Sequence, residues 1–230
     1  MTIGALMLRK PSSEDVGSFI VSIGQHNDMK ADSFSYSVVL MDKMFWHAWL
    51  FMFLNISAGL ALIGCSASIF KDASIRQDII VTLMLLAGIF NGGFRLIFAW
   101  ASDFLKNRID IWLVISILSV IFLTIAGCNY SMVGIAVLLI NACYGGGFSS
   151  LPAVLSDCYD MNNLSRMHGL TLSAWAFAGL AGNNLSILVF DVTGSFHRLI
   201  LILVIVYSLN AVNVYFARSL HIKRMCSLAK

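Results

Sequence analysis

The sequence predicts an all-α integral membrane domain with six transmembrane helices. Three observations carry that prediction. Of 230 residues, 59% are hydrophobic and only 12% are charged, about half the roughly 25% with which soluble domains cover their surface. The mean hydropathy is +0.84. The apolar residues also gather into six runs, about 45–69, 78–102, 110–127, 131–155, 167–190 and 197–217. Each is close to or above the roughly 20 helical residues that cross about 30 Å of hydrocarbon. A lipid bilayer is therefore the expected solvent.

Residues 1–44 are Ser-rich and mildly charged and read as a cytoplasmic segment. Within it, SYSVVLMDKMF predicts a short amphipathic piece lying along the inner interface. No leader pattern is expected, because the first long apolar run begins only near residue 45. The spans are joined by short polar connections: KDASIRQ, KNRID, CNYS, DCYDMNNLSR and VTGSF. Pro152 sits where the fourth span approaches its end, and Trp46, Trp49 and Trp100 lie near span ends, as interfacial aromatics do. Residues 218–230 form a tail.

Six spans place both termini on one side, and the positive-inside rule says which. With the termini inside, the inner segments hold Arg9, Lys10, Lys30, Lys43, Lys106, Arg108, Arg166, Arg218, Lys223, Arg224 and Lys230. Only Lys71, Arg76 and Arg198 lie outside, and Arg95 is left within a span. Both termini are expected in the cytoplasm, with the plasma (inner) membrane as the location.

Other chemistries find little support. A net charge of +3 is too small and scattered for nucleic acid. The five cysteines show no metal-ligand spacing and read as small hydrophobes, not disulfides. The histidines are equally dispersed. There is no GxSxG, HExxH or phosphate-binding loop, so neither an enzyme nor a metal or cofactor is expected.

Helices in lipid associate through small residues and interhelical hydrogen bonds. Gly88, Gly92 and Gly93 in the second span, Gly145–Gly147 in the fourth, and the Ala/Gly run from Ala174 to Gly182 in the fifth predict helices packed against protein. The third and sixth spans are dominated by bulky aliphatics and are expected at the periphery, facing lipid, with Asn210 and Asn213 needing partners. A peripheral helix at every third position predicts two inverted three-helix repeats.

Arg95 is the residue that bears on function. An arginine at a helix centre costs about 2.5–3.5 kcal/mol on insertion scales. It lies about 12 Å from Asp103 along a helix rising about 1.5 Å per residue, so it falls within the hydrocarbon zone, with some freedom to snorkel. Two readings are open: a socket for a small carboxylate, which a guanidinium grips with a planar fork, or a structural role in an ion pair or in bonds to backbone carbonyls. No other charged residue lies securely inside a span. Asp103 sits unfavourably at the end of its own helix. It is favourable if it meets the start of a neighbouring helix, with Lys106 and Arg108 adding cationic contacts. Contacts that can be made and broken there would form a conformational switch.

The same stretch, NGGFRLIFAWASDFLKNR (residues 91–108), resembles the segment of the major facilitator superfamily that ends its eighth helix and forms the next loop. Ala99, Asp103 and loosely the basic positions fit, whereas Lys106 stands where a glycine is usual. FLNISAGLALIG (53–64), ACYGGGFSSLPAVLSD (142–157) and MHGLTLSAWAFAGLAGN (167–183) are similar to the oxalate/formate antiporter-like branch, carriers of small carboxylates. The likeness runs from about residue 36 to the end and implies the C-terminal six-helix half of a major facilitator fold. MTIGALMLRKP at the start resembles the inner end of a sixth helix.

The resemblance implies that Arg95 pairs with the substrate carboxylate. Oxalate carriers have a second cation, a lysine, where this sequence has Trp175, so one carboxylate is expected rather than two. Asn55, Asn91, Tyr144 and Trp175 are the further candidates for the pocket; each also reads as a helix-joining or packing residue. A half carrier needs a separate N-terminal six-helix half or a second copy, unless it is an inactive remnant. With no acid securely in a span, exchange of one anion for another by alternating access is expected, and proton symport stays open if the other half supplies the relay group. The competing expectation is a non-transporting six-span subunit that binds a partner through its glycine faces.

Overall fold

The computed structural model describes residues 36–159 and 161–228, and all its regular structure is helical. A short helix, α1 (Tyr36–Met41), falls on the predicted amphipathic piece. The expectations for residues 1–35, including the MTIGALMLRKP resemblance, lie outside the described residues. From Leu40 onward the chain forms one unit. Its helices are α2 (Lys43–Asp72), α3 (Gln77–Asp103), α4 (Asp110–Cys128), α5 (Val133–Cys158), α6 (Met161–Thr193) and α7 (Phe196–Leu228). All six are long and apolar enough to cross a membrane, and the chain is built as a multi-pass membrane protein.

Local chemistry sets several boundaries. Asp42 caps α2, its Oδ1 accepting the Met44 N–H at 2.9 Å, which satisfies one of the donors a helix start leaves free. Ser74 at φ 57° makes the turn between α2 and α3, and Gly194 at φ 63° that between α6 and α7, where a glycine takes the left-handed region without strain. Pro152 stays inside α5, which runs on to Cys158. Trp46 and Trp100 remain exposed one turn from the ends of α2 and α3, at the same end of the bundle.

The helices pair by a simple scheme. α2 lies along α6, α3 along α5, and α4 along α7; α2 also meets α7, and α4 meets α5. Exchanging the first three helices for the last three interchanges α2–α6 with α3–α5 and α2–α7 with α4–α5, and leaves α4–α7 as it is. The buried side chains form two layers along the axis, one around Phe51, Trp112 and Leu151, the other around Phe70, Leu123 and Tyr207. In the first layer Trp112 is fully buried, stacks on Phe51 at 4.3 Å between ring centroids and donates from Nε1 to Ser150 Oγ at 3.0 Å. Asn55 lies on α2 just before the two layers change over.

Two expectations about helix faces are corrected. The most open helix is α3, with only 6% of its most apolar stretch buried, whereas the corresponding stretches of α4 and α7 are each 39% buried. The bulky aliphatics of α4 and α7 face one another as well as lipid. The glycines of α3 at positions 88, 92 and 93 have nothing within 4 Å of where a side chain would begin. Small residues permit close approach, but no helix among the described residues supplies it.

The glycines of α5 behave as expected. A side chain on Gly145 would collide with the Asn91 carbonyl oxygen, one on Gly146 with the Phe98 ring, and one on Gly147 with the Asn55 amide. The three consecutive glycines thus let α3 and α2 approach α5 on two sides. Gly182 does the same for α6, whose backbone meets the Ser57 carbonyl of α2. Asn213 finds the partner it needs in His47, while the Asn210 amide is buried without one.

Candidate functional site

Arg95 projects from the open face of α3 and is exposed. Its Nε donates to Asn91 Oδ1 at 3.3 Å, one turn earlier on the same helix. The spacing of four residues places both side chains on one face. The guanidinium carbon stands 5.3 Å from the centroid of the Phe148 ring, within range of cation–π attraction. No carboxylate pairs with Arg95 among the described residues.

Phe148 organises the neighbourhood. Its ring meets Tyr144 edge-on at 5.5 Å and Trp175 at 5.9 Å. Tyr144 is 6% exposed, Trp175 52%. Helix α5 therefore brings Tyr144 and Phe148 to one face, α6 brings Trp175, and α3 brings Arg95 and Asn91. These four predicted residues, Arg95, Asn91, Tyr144 and Trp175, stand together around a fifth that the sequence reading omitted. Phe148 follows Tyr144 by four residues and so shares its face; that spacing was the available signal.

Asn55 is placed differently. It is fully buried behind Gly147, and neither amide atom has a partner, although its backbone carbonyl accepts from Tyr207 at 3.4 Å. A buried unsatisfied amide carries a desolvation cost of about 1–3 kcal/mol. The backbone of Gly147 stands against its amide, and Asn55 does not join the group around Phe148.

The predicted switch residues lie at the end of the bundle where α3 stops and α4 starts. Arg108 Nη2 is 3.3 Å from Asp103 and its Nη1 is 3.2 Å from Asp157 at the end of α5. Asp103 thus meets a cation of its own loop. Lys106 is exposed and makes no ion pair among the described residues. His221 of α7 is buried beside Asp157, 3.9 Å away, and Arg218 joins Asp110 at 2.5 Å.

The chain matches no protein-family model and no curated protein.

A second cluster at this end joins three helices. Asp42 accepts from the Tyr159 hydroxyl at 2.7 Å and from Arg224 at 2.9 Å, and the Arg224 guanidinium lies 5.0 Å from the Tyr159 ring centroid. Burial alone would raise the Asp42 carboxyl, but the bonds from Tyr159, the Met44 N–H and Arg224 outweigh it and hold the group below its ordinary value. Tyr159 is pushed well above the usual phenol range by burial first and then by the Asp42 charge. The arrangement ties the start of α2 to the end of α5 and to α7.

Proposed function

We propose that this chain is one six-helix half of a major facilitator-type carrier for a small organic anion, a monocarboxylate. The observation that carries the proposal is Arg95: a cation on the open face of α3, without a carboxylate partner among the described residues, beside Tyr144, Phe148 and Trp175. A single guanidinium offers one carboxylate a bidentate grip, and the aromatic edges supply an apolar wall for the rest of the molecule. The pairing of α2 with α6 and α3 with α5, which exchange under a three-for-three swap, supports a fold of two inverted repeats.

On this reading the open face, with Gly88, Gly92, Gly93 and Arg95, is where a second six-helix half or a second copy seats. The substrate lies between the halves, which rock about it. Arg108, held to Asp103 and Asp157, is the contact made in one state and broken in another. Both termini are cytoplasmic, following the lysine and arginine distribution, and one anion exchanges for another.

The test is uptake of a radiolabelled monocarboxylate into liposomes holding the assembled carrier. Arg95→Ala is expected to abolish uptake while membrane insertion stays at the wild-type level. Undiminished uptake in that variant would remove the anion-site reading.

The exposed glycines of α3 favour a second reading, a six-span subunit that binds another membrane protein there and carries nothing. Stoichiometric co-purification of a partner, with no anion flux from the pair, would support it.

A further inference from the structure

We propose that the groove between the first turns of α2 and the middle of α7 at Asn213 binds the headgroup of an anionic phospholipid. The groove has a volume of about 220 Å³ and is lined by Lys43, Trp46, His47, Leu50 and Asn213. That is smaller than the roughly 300–1,000 Å³ of sites that enclose a whole small molecule. It suits a headgroup whose chains remain in the surrounding lipid.

The chemistry of the lining points to an anion with an apolar tail. Lys43 is exposed and pairs with no carboxylate among the described residues. The adjacent Asp42 does not compete, because Tyr159, Arg224 and the Met44 N–H already occupy its oxygens. Lys43 and His47 are four residues apart, one above the other on the helix. Trp46 and Leu50 supply the apolar part of the groove.

The polar part is held in place before any ligand arrives. The Asn213 Nδ2 donates to the His47 carbonyl at 3.0 Å, which leaves its Oδ1 to accept from His47 Nδ1 at 2.7 Å. These two bonds fix the ring and leave Nε2 as its free nitrogen. Trp46 is fixed in turn, its Nε1 donating to the Leu40 carbonyl at 2.8 Å.

The depth also fits. Helix α2 has 30 residues and so runs about 45 Å at 1.5 Å per residue, against a hydrocarbon thickness of about 30 Å. Its first turn therefore reaches headgroup level, where tryptophan is favoured. A lipid phosphate would sit at Lys43 with its acyl chains beginning along Trp46 and Leu50.

The experiment is native mass spectrometry of the full chain released from nanodiscs containing equal amounts of phosphatidylglycerol and phosphatidylcholine with identical acyl chains. Preferential retention of one phosphatidylglycerol is expected. Lys43→Ala should lower that retention about fivefold, the effect of one basic residue near an anionic surface. Lys71→Ala, at the opposite end of α2, should leave it unchanged, and millimolar inorganic phosphate should not displace the lipid. Lys43 is exposed, and an unfolding midpoint matching wild type in lipid-free detergent confirms that the variant is folded. Equal retention of the two lipids, equal effects of the two lysine substitutions, or displacement by free phosphate would each overturn the proposal.

Discussion

Gly145 and Asn91 touch backbone to backbone: no side chain could be added at Gly145 without striking the Asn91 carbonyl oxygen. That contact sets the distance between α5 and α3, and with it the position of Arg95, whose Cγ lies just beyond. Gly145→Ala should therefore cost about 1–3 kcal/mol, the usual penalty for overpacking. Gly92→Ala, facing open space, should cost nothing and gain up to about 1 kcal/mol, since alanine is the better helix former. Unfolding in denaturing detergent measures both, and equal midpoints would contradict the assigned packing.

Trp112 anchors one layer of the core. Trp112→Ala removes the stack on Phe51 and should destabilise by about 3–5 kcal/mol. Trp112→Phe keeps a ring against Phe51 but loses the bond to Ser150, worth about 0.6 kcal/mol on average between membrane helices. The difference in unfolding free energy between the two variants measures what a buried ring against Phe51 contributes, cavity included.

The Asp42 cluster predicts acid sensitivity at one end of the bundle. Asp42 is held below its ordinary value of 3.8 by Tyr159, Met44 N–H and Arg224 against the opposing effect of burial. A depressed carboxyl adds stability above its unfolded value and loses it as pH falls through the folded one. The link between α2, α5 and α7 should hold down to pH 3.8 and weaken below it. Hydrogen exchange at the ends of α5 and α7 would show this, and Asp42→Asn should remove the acid-dependent component.

Arg108 should matter more to motion than to stability. Its side chain is 37% exposed and that of Asp157 is 22% exposed, so solvent screens the pair. A double-mutant cycle should give a coupling below about 1 kcal/mol. In the membrane-embedded chain, Arg108→Ala should nonetheless raise the reactivity of thiols introduced near the end of α5, because the contact bridging the α3–α4 loop to α5 is lost. Unchanged reactivity would mean that Arg108 holds nothing closed.

The limits of sequence reading are visible at single residues. Arg95 was legible as an isolated charge, because no other charged residue lies securely inside a span. The grouping of Tyr144 with Trp175 was anticipated only by resemblance, and Phe148 was passed over because an aromatic residue in an apolar run looks like packing. Asn55 could not be placed, since one helix position decides whether an amide lines a cleft or lies behind glycine backbone. His47 and Asn213 are 166 residues apart, and nothing local announces that they meet.

By itself the sequence determined the solvent, the number of spans and their approximate limits, because the transfer of apolar residues into lipid adds up along the chain. It also marked the glycines at 145–147 as points of close approach. Only the tertiary structure decided which helix each glycine admits, why those at 88, 92 and 93 stay uncovered, and which rings surround Arg95. Those outcomes depend on how each helix is rotated about its axis and what stands across from it, and a rotation is fixed by all the neighbours at once.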